Sequence, residues 1–154
     1  MKKNLIFITG FFGAPLMQKA QSLAKEQNLP LFVLDEEIEK ADGRSARRIC
    51  MMMGEHEYRN KEYEALKAIV DGDVSEAVIC CGDGVMHDDM SRDILESHEL
   101  IVLGADMTIE DLWEVAKIEK NSCHAFMHFG NEEQQWAAFE KLYERQRVLF
   151  TPYI

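Results

Sequence analysis

The hydrophobic pattern alternates along most of the chain between short apolar runs and longer amphipathic stretches. The short runs are apolar at nearly every position, which is typical of strands buried on both faces of a parallel sheet. They lie at residues 5–8, 31–34, 77–81 and 100–103. Because parallel strands need crossover connections, usually helical, the alternation predicts an α/β fold: a three-layer α/β/α sandwich around a parallel sheet of about five strands.

The amphipathic stretches predict helices at residues 15–27, 36–41, 45–53, 55–71, 89–99, 109–119 and 132–145. Asp35, Ser45 and Thr108 precede three of these helices and have side chains suited to N-capping. No internal repeat, low-complexity tract or linker interrupts the pattern. Residues 1–154 are therefore expected to form a single domain.

The composition limits the kinds of partner that the chain can bind. The 154 residues are 47% hydrophobic, which is enough for one full core. A formal net charge of −11 and a pI near 4.9 disfavour nucleic acid and anionic membrane surfaces, because both attract basic faces. No apolar stretch approaches the ~20 residues of a membrane span. We expect neither nucleic acid nor membrane as a partner.

Four cysteines are present, and none of them forms a C-x-x-C pair: Cys50, Cys80, Cys81 and Cys123. Cys80 and Cys81 are neighbours in a predicted strand, so their side chains are expected on opposite faces of the sheet. The pattern favours reduced, mostly buried thiols and a cytoplasmic protein.

A glycine turn follows the first predicted strand. A nucleotide loop of the form G-x-x-x-x-G-K-[ST] cradles phosphates with backbone N–H groups, and its Lys and hydroxyl serve the β/γ-phosphates and Mg²⁺. Here the second glycine of that pattern is Pro15, the Lys is Leu16 and the hydroxyl is Met17. We expect a degenerate nucleotide loop made of Gly10, Gly13, Ala14, Pro15, Leu16 and Met17. The alternative is an ordinary strand-turn-helix start of an α/β domain.

Two further strand ends carry polar or flexible residues. Asp35 follows the second run, and Gly82-Asp83-Gly84 follows the third. Ligands gather at the carboxyl ends of parallel strands, so these residues are candidates for a binding site. The alternative to a binding site is that Asp35 is only a helix cap and that the glycine segment is only a tight turn.

Four segments together resemble the shikimate kinase family, whose fold is that of the P-loop NTPases and the nucleoside-monophosphate kinases. The order and spacing agree over about residues 5–103, and the most specific segment combines a turn, an aromatic residue and an Arg at fixed offsets. The segments are Ile8-Thr9-Gly10-Phe11-Phe12-Gly13-Ala14, Asp35-x-x-Ile38-Glu39-x-x-x-Gly43, Gly54-Glu55-x-x-Tyr58-Arg59-x-x-Glu62, and Gly82-x-Gly84 with Arg92 and Leu95.

The resemblance implies roles for individual residues. Asp35 would receive shikimate hydroxyls, and would be catalytic in an active enzyme; Arg59 would clamp the substrate carboxylate, with Tyr58 as a pocket wall. The backbone of Gly82 and Gly84 would approach the ligand. The alternative for Arg59 is a surface ion pair with Glu55 or Glu62.

Other positions depart from the family pattern on the substrate side. Asp83 replaces the middle glycine of the turn and would repel a carboxylate placed nearby. Gln146 aligns with the family's second carboxylate-binding Arg, and a one-residue shift to Arg147 would restore the cation. Both departures suggest a relative of shikimate as the ligand.

Departures on the nucleotide side are more numerous. Val33 takes the place of the family's acidic residue on the Mg²⁺ side, and no Arg occurs between Arg92 and Arg145, where the family has a lid. We expect a degenerate lid around residues 119–131. Within it, Cys123-His124-x-x-x-His128 has zinc-ligand residue types, but lacks a fourth ligand in sequence, so no metal site is expected.

The resemblance and the departures together predict a protein of the shikimate kinase type, placed by that resemblance in aromatic amino acid biosynthesis. It would bind a shikimate-like polyhydroxy carboxylic acid without efficient phosphoryl transfer, with no cofactor and with a pathway enzyme as a possible protein partner. The alternative is an active shikimate kinase that uses ATP and Mg²⁺ through an atypical phosphate site. A third hypothesis is a purely structural domain without a small ligand.

Overall fold

A parallel sheet of four strands, in the order β2-β3-β1-β4, organises the computed structural model, which describes residues 3–154. The strands are β1 (Asn4–Gly10), β2 (Leu31–Val33), β3 (Glu76–Cys80) and β4 (Glu99–Leu103). Ile8 in the central β1 pairs with Cys80 of β3 and with Ile101 of β4, so the carboxyl ends of these strands lie at one edge. The parallel sheet is confirmed, with one strand fewer in these residues than the expected five or so.

The helices follow the predicted positions closely. They are α1 (Leu16–Gln27), α2 (Leu34–Asp42), α3 (Ala46–Met53), α4 (Glu55–Asp71), α5 (Asp89–Glu96), α6 (Ile109–Ala116) and α7 (Glu132–Phe150). Short 3₁₀ helices occupy Val85–His87, Ala125–His128 and Thr151–Tyr153. In the part of the chain that the structure describes, no helix combines the length and the apolar character needed to cross a bilayer.

Alternate residues of the strands enter two separate cores, which explains why the strand sequences are continuously apolar. Ile6, Ile8, Val78 and Cys80 pack against α1 on one face. Residues of the other register pack against α4, α5, α6 and α7 on the opposite face, among them Leu5, Phe7, Ala77 and Ile79. The sheet is therefore buried on both sides as the middle layer of a three-layer sandwich.

Two of the three expected helix caps are confirmed. The Ser45 Oγ accepts from the Arg48 N–H at 3.3 Å, and the Thr108 Oγ1 accepts from the Asp111 N–H at 3.1 Å. The expectation for Asp35 is wrong, because α2 begins at the fully buried Leu34, two residues before the predicted start, and Val33 is its N-cap. Asp35 lies in the first turn of α2, and its carboxylate is available for contacts outside the helix.

The expectation of four reduced thiols is wrong for two of them. Cys50 of α3 and Cys123 form a disulfide, with their Cα atoms 5.5 Å apart and a sequence separation of 73. Cys80 and Cys81 are free and buried, and they enter opposite cores as predicted. The disulfide attaches the irregular segment after α6 to the end of the molecule where the strands terminate.

Candidate functional site

A cavity of about 440 Å³ lies at the carboxyl edge of the sheet. Its walls come from the loop after β1, the start of α2, the first two turns of α4, the turn after β3 and the segment after α6. It brings together most of the residues singled out in the sequence: Gly13, Ala14, Pro15, Leu16, Met17, Asp35, Tyr58, Arg59, Gly82, Asp83 and Gly84. Gly10 lies within β1, behind the loop.

The backbone N–H groups of the loop after β1 are largely bonded within the chain. The N–H of Phe11 donates to the Leu103 carbonyl at 3.0 Å, and that of Phe12 donates to the Gln146 Oε1 at 3.0 Å. The N–H groups of Ala14 and Leu16 donate to loop carbonyls at 2.9 and 2.8 Å. Pro15 has no N–H to offer.

The two glycines of this loop are explained by packing. Gly13 has a φ of +102°, and a Cβ there would lie 2.1 Å from the Leu112 carbonyl oxygen of α6. A Cβ at Gly10 would lie 2.2 Å from the Leu103 carbonyl oxygen of β4. Both positions exclude a side chain because neighbouring backbone approaches closely.

Asp35 and Tyr58 meet across the cavity floor. The Tyr58 hydroxyl, on a ring that is 2% exposed, donates a hydrogen bond to the Asp35 carboxylate. Burial raises the pKa of Asp35, and the negative charge of Asp83 adds to that rise, while the Tyr58 bond opposes it. Asp35 keeps further acceptor positions for a ligand hydroxyl, since an ionised carboxylate accepts about four hydrogen bonds.

Arg59 is a buried cation held by two carboxylates of its own helix. Its Nη1 donates to the Glu62 Oε1 at 2.8 Å and its Nη2 to the Glu55 Oε1 at 2.7 Å. The ion-pair alternative is therefore present, although the guanidinium is buried and not at the surface. Gly84 permits this position, because a Cβ there would lie 2.1 Å from the Arg59 Nη2.

The sequence predicted Glu62 only as a possible ion-pair partner of Arg59 and not as a site residue. It is 1% exposed, and burial raises its pKa to about 7 despite the adjacent guanidinium. Its Oε2 and the Arg59 Nε have no hydrogen-bond partner within residues 3–154. These two atoms are buried polar groups that a ligand or water would satisfy.

Asp83 is the centre of a hydrogen-bond network that the sequence did not reveal. Its Oδ2 contacts the His124 Nε2 at 2.6 Å and accepts from the Gln146 Nε2 at 2.8 Å. Burial opposes ionisation of Asp83, but His124 outweighs it, so the pKa of this carboxyl is lowered. Because Gln146 also accepts from the Phe12 N–H, it connects the loop after β1 to the turn after β3.

The structure does not bring Arg147 to the cavity. Its side chain is 54% exposed and pairs with Glu144 at 2.9 Å on the same helix. Gln146 points inward and is 1% exposed. The expected one-residue shift is therefore wrong, because a shift of one position along α7 turns the side chain by about 100° to the solvent face.

The zinc-ligand residue types of the segment after α6 are engaged in other contacts. Cys123 is bonded to Cys50, His124 contacts Asp83, and the His128 Nε2 contacts the Ser122 carbonyl at 2.8 Å. Across residues 3–154 no group of three or more His, Cys, Asp or Glu side chains is arranged to hold a metal ion.

A family model described as shikimate kinase matches residues 19–151. Two related proteins are a bifunctional shikimate kinase/3-dehydroquinate synthase of Thermotoga maritima and a shikimate kinase of Chlorobaculum tepidum. The first is 35% identical over 100 residues, which are 65% of this chain and 20% of that protein. The second is 32% identical over 99 residues, which are 64% of this chain and 51% of that protein. The chain thus spans a fifth and about half of these relatives' lengths.

Solved structures of the same description share the fold. Shikimate kinase from Aquifex aeolicus superposes with a TM-score of 0.75 at 22% identity, covering 96% of this chain and 82% of that one. Shikimate kinase from Acinetobacter baumannii, in complex with shikimate, gives 0.75 at 21% identity, covering 93% and 79%. The three-layer α/β/α sandwich described above is thus the P-loop kinase fold of these proteins.

Proposed function

The chain belongs to the shikimate kinase family, and from this membership we propose that it binds a small polyhydroxylated relative of shikimate without efficient phosphoryl transfer from ATP. The single observation that carries the proposal is the loop after β1. Its N–H groups at Phe11, Phe12, Ala14 and Leu16 are bonded within the chain, and Lys and hydroxyl are absent from positions 16 and 17.

ATP and Mg²⁺ do not fit the residues on this side of the cavity. Phosphoryl transfer depends almost wholly on positioning and on electrostatic stabilisation of the γ-phosphoryl group. The loop side offers Pro15, Leu16, Met17 and Val33 instead of cations, a hydroxyl and an acid. Losing such groups costs on the order of 10³-fold or more in rate.

The opposite side of the cavity has groups suited to hydroxyls. The Asp35 carboxylate accepts hydrogen bonds from vicinal hydroxyls, and the Gly82 to Gly84 turn lets a ring approach the backbone. The volume of about 440 Å³ lies in the usual range of small-ligand sites, roughly 300–1,000 Å³. These features favour a compact polyol.

The test is a paired titration by calorimetry of the wild-type chain with ATP·Mg²⁺ and with a panel of shikimate derivatives. We expect heat of binding with members of the panel and none with ATP·Mg²⁺. Asp35→Asn should weaken polyol binding about tenfold, since a hydrogen bond to a charged acceptor contributes about 1.5–3 kcal/mol. Saturable ATP·Mg²⁺ binding would overturn the proposal.

An active shikimate kinase with an atypical phosphate site is the second candidate, favoured by the family membership and by the retained Asp35. It requires ADP formation that depends on both shikimate and the protein and that is lost in Asp35→Asn. Such activity in a coupled assay would replace the first proposal. Its absence, together with polyol binding, would support the first.

A further inference from the structure

We propose that Asp83 sets the charge of the ligand, so that the cavity takes a polyol without a carboxylate and rejects a hydroxy acid. The inference rests on the proposed function, because it concerns the ligand of the same cavity. It replaces the expected polyhydroxy carboxylic acid with a polyol that lacks the carboxylate, and it makes Asp83 a specificity-determining residue.

Asp83 itself engages the groups that could receive a ligand carboxylate at this end of the cavity. The His124 Nε2 is 2.6 Å and the Gln146 Nε2 is 2.8 Å from the same Asp83 oxygen, Oδ2. His124 is 6% exposed and Gln146 is 1% exposed, so neither turns to solvent. An incoming carboxylate would have to displace the carboxylate of Asp83 from both.

Arg59 is partly committed. Two of its five N–H donors are used, because Nη1 donates to Glu62 and Nη2 donates to Glu55, and these two carboxylates offset the positive charge that a ligand carboxylate would meet. Its Nε is the nitrogen that has no partner among the described residues. A ligand carboxylate at Arg59 would therefore lie beside the two carboxylates that already pair with it.

The charges lining the cavity favour the same conclusion. Within residues 3–154, the basic side chains of the lining are Arg59 and His124, and four carboxyl side chains share that lining: Asp35, Glu62, Asp83 and Glu119. Like charges disfavour one another strongly in a partly buried site. A ligand carboxylate therefore adds to an existing excess of acid, whereas an uncharged or amine-bearing group does not.

The experiment compares three ligands with one ring: shikimate, its primary amide, and the compound with an aminomethyl group in place of the carboxylate. Each is titrated by calorimetry into the wild type, Asp83→Asn and Asp83→Gly. The wild type should bind the amide and the amine at least about tenfold more tightly than the acid, since a factor of ten corresponds to only 1.4 kcal/mol of repulsion. In both variants the affinity for the acid should come within about threefold of the affinity for the amide.

Asp106→Asn is the matched control, because it removes the same charge from an exposed residue outside the cavity lining. It should keep the wild-type preference for the amide. Asp83→Gly provides a second variant in case the amide side chain of Asn disturbs the turn, and thermal unfolding of each variant checks that it folds.

The outcomes separate the two proposals. If the wild type binds the acid as tightly as the amide, the inference is overturned and the proposed function stands. If the acid is rejected equally by the wild type and by both Asp83 variants, Asp83 is not the determinant. If none of the three compounds binds any of the proteins, the proposed function fails and the inference fails with it.

Discussion

The two sides of the cavity satisfy their polar groups in different ways. On the loop side, Phe11, Phe12, Ala14 and Leu16 bond their N–H groups to neighbouring carbonyls and to Gln146, and their side chains are apolar. On the turn side, buried charges remain, and the Glu62 Oε2 and Arg59 Nε have no partner within residues 3–154. A glycine of a nucleotide loop can thus be required by backbone packing, as Gly13 is, and its presence does not imply that phosphate binds there.

The largest expected effect is the loss of Arg59. Arg59→Ala leaves Glu62 buried beside Asp35 and Asp83 without its cation, and breaking a buried ion pair costs about 3–5 kcal/mol. Chemical denaturation at neutral pH measures this loss. Arg147→Ala, on the exposed face, is the control and should leave the unfolding midpoint essentially unchanged. A midpoint for Arg59→Ala equal to that of the control would contradict the buried pair.

The disulfide should have the next largest effect. Replacing Cys50 and Cys123 together by Ser should lower the free energy of unfolding by about 2–4 kcal/mol, because the bond closes a long loop in the unfolded chain. Wild-type protein treated with a reductant should show the same loss, and the double variant should be insensitive to it. A reductant without effect on the wild type would show that the two thiols are not bonded.

The stability of the protein should depend on pH through two groups on the turn side, Glu62 and His87, which act in opposite directions. Burial raises the pKa of Glu62 from 4.5 to about 7. Its contribution to folding stability is therefore fully present below pH 4.5 and is lost as the pH rises through 7. The pKa of His87 is lowered from 6.5 to about 4, by burial and then by Arg59. Its contribution is present above pH 6.5 and is lost as the pH falls towards 4.

Single variants should separate these contributions, each of which reaches about 3 kcal/mol at 1.36 kcal/mol per unit of pKa. In Glu62→Gln only the His87 contribution remains, so the free energy of unfolding should rise as the pH increases from 4 to 6.5. In His87→Gln only the Glu62 contribution remains, so the free energy of unfolding should fall as the pH increases from 4.5 to 7. Thermal or denaturant unfolding across this range measures both, and parallel curves for the two variants would disprove the assignment.

The smallest expected effect is on the loop side. The triple variant Pro15→Gly, Leu16→Lys and Met17→Ser restores the side chains of a nucleotide loop, but the N–H groups of Phe11 and Phe12 stay bonded to Leu103 and Gln146. We expect less than about a tenfold gain in ATP·Mg²⁺ affinity, since one added cation contributes little without the backbone cradle. Tight ATP binding by this variant would show that side chains alone had removed the site.

Most of the fold was predictable because its elements have strong local signals. Residues 55–71 form a helix with the predicted bounds, and Ser45 and Thr108 cap their helices as their residue types indicate. The sequence predicts a second strand that ends at Leu34, because this apolar residue continues the strand pattern. In the structure Leu34 is instead the first residue of α2. Periodicity alone does not separate the end of a buried strand from the start of a buried helix.

The candidate site was predictable only in part. Asp35, Arg59 and the Gly82 to Gly84 turn stand out because strand ends and family spacing place them at one edge, where the cavity lies. The contact of Asp83 with His124 joins residues 41 positions apart, and that with Gln146 spans 63. Contacts over such distances depend on tertiary packing and leave no spacing pattern, as is also true of the Cys50 to Cys123 bond.

The most direct test of the account is one calorimetric comparison on the wild-type chain, with ATP·Mg²⁺ in one titration and the primary amide of shikimate in the other. We predict saturable heat with the amide and only heat of dilution with ATP·Mg²⁺. Saturable binding of ATP·Mg²⁺ would contradict this prediction.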